Sequence, residues 1–276
     1  MTAARGQSRS AKRATKANVP DPFGYDPAFA ARLRPLLEFF YRRYWRVQTD
    51  GLEHVPSTGA ALLVGNHSGG IPLDAAIIGA AIDLEHPQHR VVRFLYDRFV
   101  AAMPFMGELY NRMGSVVASS DNARRLLEMG ELVGIFPEGV EGVAKGIWHR
   151  YELQPFHSGF VRLSLLLRAP IIPTAVVGAE ETYPVIGRWE RLGPLKQLLN
   201  VPYIPVTPLF PWLGVVGMVP LPTKWHIRFG APIRLYAETG LRRLPNRATA
   251  AKLAERVRRH VQAMVHELLA QRESIF

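Results

Sequence analysis

Two side chains that can move a proton lie close together in a glycine-containing segment. His67 follows the apolar residues 61–66, and Asp74 is the only acidic residue between Glu53 and Asp83. An imidazole that acts as a base needs a carboxylate on its other ring nitrogen, which fixes the tautomer and stabilises the imidazolium. The pair therefore predicts activation of an alcohol nucleophile. Taken alone it is weak evidence, because most surface histidines do no chemistry and Asp74 also fits a helix N-cap.

A second turn of interest is Phe136-Pro137-Glu138-Gly139, directly after the apolar residues 131–136. Its proline and glycine shape the turn, and its glutamate is a second carboxylate at the end of a predicted strand. Ligand chemistry in α/β proteins gathers at the carboxyl ends of strands, so both turns are expected at one edge of one sheet. Considered alone, the second turn fits an ordinary β-turn equally well.

The elements that must position these residues alternate between strand and helix along the chain. We predict strands over 61–66, 91–96, 115–118, 131–136, 170–178 and 225–230, and helices over 28–47, 74–82, 97–113, 120–129, 158–168 and 246–272. Asp26 and the pair Ser119-Ser120 are the expected helix caps, and Pro35 is expected to kink the first helix. This alternation predicts one α/β domain over 21–276, with a mixed, mostly parallel sheet flanked by helices.

The composition excludes several classes of protein. The chain has 276 residues, of which 48% are hydrophobic and 21% charged, enough apolar sequence for a sizeable core. It contains no cysteine, which excludes disulfide scaffolds, thiolate zinc sites and cysteine nucleophiles. Ser68 lies beside His67, but the sequence contains no G-x-S-x-G nucleophile elbow, so a serine hydrolase is not favoured. His86 and His89 have a ligand-like interval, but Pro87 lies between them, and we expect no metal site.

The positive charge of the chain is concentrated at its two ends. Of the net charge of +11, residues 1–20 carry +5 and residues 217–276 carry +7. Residues 1–20 are expected to form a basic, disordered tail, and they hold no apolar run typical of a secretory signal. Two basic ends around a neutral middle suit an anionic partner, either a lipid surface or a nucleic acid.

The apolar segments favour the lipid surface over the nucleic acid. Residues 197–223 form a stretch of 27 residues without Asp, Glu, Lys or Arg, but six prolines exclude a simple spanning helix. We interpret the stretch as an irregular apolar loop that is either buried in protein or dips into lipid headgroups. The helix predicted over 28–47 mixes aromatic residues with arginine, which is typical both of interfacial helices and of helices that pack on a core.

Taken in order, several motifs resemble the four blocks of the PlsC-like glycerolipid acyltransferases, also called the lysophospholipid acyltransferase superfamily. The resemblance covers roughly residues 50–235 and rests on Asn66-His67 with Asp74, Met113-Gly114-Ser115-Val116, Phe136-Pro137-Glu138-Gly139 and Ile172-Pro173. It implies an α/β fold, a membrane-surface location, and transfer of an acyl group from acyl-CoA or acyl carrier protein to a lipid hydroxyl. It also implies that His67 is the base, that Asp74 orients it, and that Glu138 and its turn belong to the acceptor site.

The chain departs from the family's pattern in three places. Six residues separate His67 from Asp74, where the family usually has four. Ser120 and Val140-Glu141 stand where the family usually has an arginine that binds the acceptor phosphate. Without those arginines a phosphate loses its bidentate clamp, and Glu141 repels an anion.

These departures favour a neutral acceptor, such as a mono- or diacylglycerol or a long-chain alcohol. Lysophosphatidic acid stays the alternative acceptor, with Lys145 or Arg150 supplying the positive charge that a phosphate requires. We therefore expect a peripheral or monotopic O-acyltransferase at the cytoplasmic face of a membrane. It needs no cofactor beyond its acyl-CoA or acyl carrier protein substrate and binds no nucleic acid. The alternative from another class is a non-catalytic, basic membrane-binding protein.

Overall fold

A seven-stranded sheet forms the centre of the computed structural model, which describes residues 20–68, 73–143, 145–189, 204–240 and 244–276. In spatial order its strands are β1 (Gln48–Asp50), β9 (His226–Phe229), β6 (Ile171–Val177), β2 (Ala61–Gly65), β5 (Leu132–Ile135), β3 (Val92–Tyr96) and β4 (Val116–Val117). The five strands from β6 to β4 are parallel to one another, whereas β9 is antiparallel to β6 and parallel to β1. The predicted mixed, mostly parallel sheet is thus confirmed.

Ten α-helices are assigned within the described residues, several of them only one turn long. They are α1 (Pro27–Phe39), α2 (Asp74–Glu85), α3 (Arg98–Ala101), α4 (Met106–Arg112), α5 (Ser120–Glu128), α6 (Val140–Val143), α7 (Gly159–Leu167), α8 (Ala179–Thr182), α9 (Leu235–Glu238) and α10 (Arg247–Gln271). A π-helical turn, Phe40–Tyr44, extends α1. A separate antiparallel pair consists of β7 (Gly187–Trp189) and β8 (Ile204–Val206).

Two hydrophobic cores cover the two faces of the sheet. Leu62 and Val64 of β2 point into one core with α5, α7 and α10, whereas Ala61 and Leu63 point into the other with α2 and the aromatic end of α1. Successive side chains of a strand point to opposite faces, so a strand covered on both sides is apolar throughout. Burying one such leucine contributes about 1.5–3 kcal/mol, which holds β2 firmly in the centre of the single domain.

Two helices begin with capping residues at or next to the expected positions. Asp26 accepts a hydrogen bond from Phe29 N at 3.0 Å, with Pro27 as the first helical residue. Ser119, rather than Ser120, caps α5 through its hydroxyl, which accepts from Asn122 N at 3.0 Å.

The helical segments predicted over 28–47 and 97–113 differ from the observed ones. The first remains helical through Pro35 but changes to π-helical hydrogen bonding at Phe40, and the regular turns end at Tyr44. The second consists of two short helices, because Phe105 takes a left-handed backbone conformation with φ of 64° between them.

The apolar segment, defined here as residues 204–223, is held at the surface by the end of the first helical region. Tyr44 Oη donates to Pro220 O at 2.6 Å, and Trp45 Nε1 donates to Leu221 O at 3.1 Å. Trp212 is 73% exposed, and several neighbouring apolar side chains are exposed as well: Leu209, Leu213, Val216, Met218 and Val219. One of the two expectations for this stretch was a loop buried in protein. That expectation is wrong for the exposed apolar residues named here.

Parts of the predictions fall on residues that are not described. These are residues 1–19 of the expected tail and residues 197–203 of the expected apolar loop. Among the described residues, none of the helices has the length and apolar character needed to cross a bilayer.

Candidate active site

The side chain of Asn66 fixes the chain where it leaves β2. Its Nδ2 donates to Val176 O at 3.0 Å, and its Oδ1 accepts from Val176 N at 2.8 Å. This pair of bonds continues the pairing of β2 with β6 one residue beyond the strand, using a side chain in place of a backbone. The next residue, His67, consequently has a defined starting point at the carboxyl edge, the edge of the sheet where β2, β3, β5 and β6 end.

His67 and Asp74 form a hydrogen-bonded dyad. The distance from His67 Nδ1 to Asp74 Oδ2 is 2.7 Å. The carboxylate is fully buried and accepts three more bonds, from Ser68 N at 2.8 Å, Ser68 Oγ at 2.9 Å and Ala75 N at 2.8 Å. The two extra residues relative to the family's usual interval therefore do not prevent the contact, although residues 69–72 lie outside the described residues.

The environment of Asp74 keeps its carboxyl group ionised. Burial by itself raises its pKa, but the charge of His67 and the hydrogen bonds from His67 and Ser68 outweigh burial and lower the pKa below its ordinary value. An ionised carboxylate only accepts hydrogen bonds, so Nδ1 of His67 carries the proton. The other ring nitrogen, Nε2, is then an acceptor that can take a proton from a hydroxyl group.

An aromatic stack covers one face of the imidazole. The ring of Phe136 lies parallel to that of His67, with centroids 4.3 Å apart, and Phe94 stacks behind Phe136 at 5.5 Å. The His67 side chain is 13% exposed, so it remains in reach of solvent and of a substrate. Gly134 makes the stack possible, because a Cβ at this position would lie 2.3 Å from the ring of Phe94.

Glu138 holds the backbone of His67. Its Oε1 accepts from His67 N at 2.8 Å, its Oε2 accepts from Gln154 N at 2.7 Å, and the residue has no exposed surface. Gly142 provides the necessary space, since a Cβ there would lie 2.6 Å from Glu138 Cβ and 3.0 Å from His67 Cβ. The role of Glu138 in acceptor binding stays a prediction, and the observed bonds give it a supporting role beneath the dyad.

Lys145 lies in the interior, contrary to the expectation that it offers its charge to an acceptor phosphate. Its side chain is 2% exposed, and Nζ lies 3.0 Å from Glu180 Oε1 and 3.5 Å from Glu138 Oε2. A cation engaged by two buried carboxylates is a poor ligand for a further anion. Burial raises the pKa of Glu180 to about 7, although Lys145 and the amide of Tyr151 act in the opposite direction.

Arg150 lies at the surface of the protein. It is exposed, donates to Ile147 O at 3.3 Å, and lines a surface cavity of about 600 Å³ with Trp148 and Tyr151. Neither His67 nor Asp74 lines this cavity. The acceptor role of Arg150 therefore stays a prediction.

The two histidines with a ligand-like interval are bound to the backbone. The ring of His86 contacts Val55 O at 3.1 Å, and the ring of His89 contacts Asp83 O at 2.6 Å. Within the described residues, no group of three or more His, Asp or Glu side chains could hold a metal ion.

Sequence reasoning missed several residues of the site. Phe94 and Gly134 form the aromatic stack, Gly142 makes room for Glu138, and Glu180 pairs with Lys145. Burial and, to a smaller extent, the charge of Asp74 raise the pKa of Tyr110. The strand sequences predicted the backbone positions of some of these residues, but no local pattern signalled their contacts.

Comparison with known proteins agrees with this geometry. Residues 46–177, which include both dyad residues and the Phe136–Gly139 turn, match the sequence model of the Acyltransferase family. The crystal structure of the 1-acyl-sn-glycerophosphate (LPA) acyltransferase PlsC from Thermotoga maritima has the same fold, with a TM-score of 0.54 at 17% identity. The alignment covers 89% of this chain and 83% of the Thermotoga chain. Residues 46–177 thus form a domain of the Acyltransferase family, within a chain that has the PlsC fold.

More similar relatives of this chain occur in mycobacteria. Uncharacterised proteins of Mycobacterium tuberculosis and Mycobacterium bovis are 42% identical to it over 260 residues, which is 93% of this chain and 71% of each relative. A protein of Mycobacterium leprae is 42% identical over 269 residues, or 96% of this chain and 72% of that relative. The likeness therefore extends over nearly the whole chain, beyond the range matched by the family.

Proposed function

We propose that this acyltransferase moves a fatty acyl group from an acyl thioester to the hydroxyl group of a lipid, with His67 as the general base. The observation that carries the proposal is the 2.7 Å contact between His67 Nδ1 and the buried carboxylate of Asp74. Nε2 takes the hydroxyl proton while the oxygen attacks the thioester carbonyl carbon. The carbon–sulfur bond then breaks, and the thiolate leaves and receives the proton. Acyl-CoA and acyl carrier protein are both suitable donors for this step.

Asp74 supports the base in two ways. It holds the tautomer in which Nε2 is unprotonated, and its charge stabilises the imidazolium formed during the reaction. General base catalysis by a positioned imidazole contributes about 10²- to 10⁴-fold to a rate. The route requires neither a metal ion nor a covalent acyl-enzyme, because the acceptor oxygen attacks the thioester directly.

The acceptor that we propose is a neutral lipid, such as a mono- or diacylglycerol or a long-chain alcohol. Ser120 occupies the first turn of α5, where the family usually has its phosphate-binding arginine. Lys145, which could have replaced that charge, is ion-paired in the interior. Of the two cations named for the lysophosphatidic acid alternative, Arg150 remains as an exposed one.

We also propose that the enzyme acts as a peripheral protein at the cytoplasmic face of a membrane. Large exposed aromatic side chains lie in connections that leave the carboxyl ends of β3, β5 and β6: Phe105 at 86% exposure, Trp148 at 77% and Trp212 at 73%. His67 follows the carboxyl end of the parallel strand β2, so the dyad and these aromatic residues belong to loops from the same edge of the sheet. Stable membrane binding usually needs two contributions, insertion of apolar side chains and attraction to anionic lipid. The exposed aromatic side chains can supply the first, and the net charge of +11 can supply the second.

A panel of acceptors tests the proposed reaction. Purified protein is given one acyl-CoA together with diacylglycerol, monoacylglycerol, a long-chain alcohol or lysophosphatidic acid, and a parallel series uses an acylated carrier protein. A charge-assisted phosphate contact is worth about 1.5–3 kcal/mol, or about ten- to 150-fold in rate. We expect the neutral acceptors to be used at least about tenfold better than lysophosphatidic acid.

Two results would contradict the proposal. If lysophosphatidic acid is the preferred acceptor and Arg150→Ala abolishes that preference, the neutral-acceptor assignment is wrong. If His67→Ala transfers acyl groups as fast as the unmodified enzyme, the general-base assignment is wrong. Binding to anionic liposomes without acyl transfer to any acceptor would favour the non-catalytic membrane-binding alternative.

A further inference from the structure

The ring of Phe136 is supported by residues of two neighbouring strands. Phe94 of β3 and Gly134 of β5 lie opposite each other in the sheet, and a Cβ on Gly134 would lie 2.3 Å from the Phe94 ring. The Phe94 ring therefore occupies the space that a side chain at position 134 would need. Phe136 follows Gly134 by two residues and packs against the same core as Phe94, and the planes of the two phenyl rings differ by 7°. Phe94 thus supports the Phe136 ring from the neighbouring strand.

Two groups contact the His67 imidazole from different directions. Asp74 meets it at the edge of the ring, through the 2.7 Å bond to Nδ1. Phe136 meets it at the face, with the ring centroids 4.3 Å apart and the ring planes within 4° of parallel. The carboxylate acts along the N–H bond, whereas the phenyl ring lies against the imidazole face and restricts its rotation. The plane of the imidazole is therefore set from both directions.

The imidazole gains a positive charge when Nε2 takes the proton of the acceptor hydroxyl group in the proposed reaction. The face of a phenyl ring carries partial negative charge and attracts a cation that lies within about 6 Å of the ring centroid. The attraction is larger where water is excluded, and the His67 side chain is only 13% exposed. Because this attraction strengthens as the proton is transferred, it stabilises the transition state more than the ground state.

We propose that Phe136 is a positioning residue for the base: its ring sets the plane of the His67 imidazole, and its π face stabilises the imidazolium that forms during acyl transfer. The inference rests on the proposed role of His67 as the general base. It differs from the expectation that the Phe136–Gly139 turn belongs to the acceptor site. The turn then serves His67 twice, since Glu138 also accepts from the His67 amide at 2.8 Å.

Fluorinated phenylalanine at position 136 changes the charge of the ring face and keeps the shape of the ring nearly constant. Fluorine withdraws electron density, so analogues with one, two or three ring fluorine atoms attract a cation progressively less. The measurement is the single-turnover rate constant of acyl transfer, which reports the chemical step. We expect it to fall stepwise with each fluorine atom, by about two- to thirtyfold over the series, while the acceptor KM stays constant.

The same analogues at Phe160 provide the matched control. Phe160 is 3% exposed in the core with α5, α7 and α10, on the other face of the sheet from Phe94. It packs edge-on against Phe156, with ring centroids 6.3 Å apart. Fluorination at this position alters a buried phenyl ring without changing the stack on His67. The rate constant should therefore show no stepwise fall.

The placement of the phenyl ring can be read by NMR without any activity measurement. Protein labelled with ¹³C-histidine gives signals of the carbon-bound imidazole protons, and the His67 signals are assigned by their absence in His67→Gln. Protons over the face of an aromatic ring resonate upfield, so these signals should move downfield in Phe136→Leu, which keeps an apolar side chain and removes the ring. Misplacing a catalytic group by about 1 Å costs about a hundredfold in rate, so the rate constant of this variant should fall by about ten- to hundredfold.

The outcomes are distinct. A stepwise fall at position 136 with a constant acceptor KM, and no such fall at Phe160, supports the proposal. A rate constant that does not depend on fluorine at position 136 overturns it. A rise in the acceptor KM at a constant rate also overturns it, because it would indicate that Phe136 contacts the acceptor. Unmoved His67 signals in folded Phe136→Leu overturn it as well.

Two further results are assigned in advance. If Phe136→Leu does not fold, the fluorinated series decides, because it preserves the shape of the ring. If the unmodified protein transfers no acyl group, the proposed function is wrong and this inference is wrong with it. Acyl transfer at a rate that is independent of fluorination refutes this inference alone.

Discussion

Replacing Asp74 by asparagine removes one charge from the dyad and leaves the size of the side chain nearly unchanged. In the native site Oδ2 accepts from His67 Nδ1 and from two groups of Ser68, and Oδ1 accepts from Ala75 N. An asparagine has one acceptor oxygen and one NH₂ group, which only donates. In either orientation the NH₂ group faces at least one N–H donor, so the site cannot be satisfied.

The magnitude follows from the bonds that are lost. A charge-assisted bond to an imidazolium is worth about 1.5–3 kcal/mol, which corresponds to about ten- to 150-fold in rate. A histidine held in the wrong tautomer adds to this loss, and the same substitution in serine proteases lowers kcat by about 10⁴. We therefore expect Asp74→Asn to lower kcat by about 10²- to 10⁴-fold. The unsatisfied buried group should also lower the free energy of unfolding by about 1–3 kcal/mol.

These two effects can be separated. Domains of ordinary stability unfold with about 5–15 kcal/mol, so a loss of about 1–3 kcal/mol leaves most of the protein folded and cannot explain a hundredfold fall in kcat. The assay follows release of free CoA thiol with a saturating acceptor, and urea unfolding is measured on the same preparation. Asp83→Asn is the matched control, because Asp83 lies on the same helix and forms an exposed ion pair with Arg34. Retention of more than about a tenth of kcat by folded Asp74→Asn would refute the reasoning.

Three further predictions concern the surroundings of the dyad and the surface. Gly142→Ala should lower kcat at least about tenfold, measured with saturating substrates, because its Cβ would lie 2.6 Å from Glu138 Cβ. The pKa of Glu180 is about 7 in the folded protein, above its ordinary value of 4.5. The folded state therefore binds this proton more tightly, and the free energy of unfolding should decline as pH rises from about 4.5 to 7. In urea unfolding measurements, Glu180→Gln should show a smaller decline over this pH range. Trp212→Ser should reduce flotation with anionic liposomes, whereas Met129→Ser, which removes an exposed apolar side chain at the end of α5, should not.

The alternation of strands and helices was predictable because each element carries its own period. A strand buried on both faces is apolar throughout, and a helix start shows a capping residue, as at Asp26 and Ser119. The dyad was predictable for a similar reason, since His67 and Asp74 flank one turn between a strand and a helix. In each case the information lies within about ten residues of chain.

The remainder depends on contacts between residues far apart in the sequence. Strand β1 is three residues long and exists through its pairing with β9, in which Gln48 lies opposite His226. The interior position of Lys145 depends on Glu180, because an unpaired ammonium group would not be buried. Nothing in the sequence near Lys145 or near Glu180 indicates that the two residues pair. The sequence alone therefore led to the expectation that Lys145 offers its charge to an acceptor.

The hydrogen bonds around Asn66 change how sequences of this kind should be compared. The position of His67 is set by the bonds of Asn66 to Val176 and by the bond from its own amide to Glu138, and that of Asp74 is set by the start of α2. The separation of His67 and Asp74 is thus determined by anchors on either side of the turn, and their contact forms here across six intervening residues. A motif search that demands four residues between histidine and aspartate would pass over this chain. A search for an asparagine before the histidine, an aspartate at a helix start and a distant F-P-E-G turn would find it.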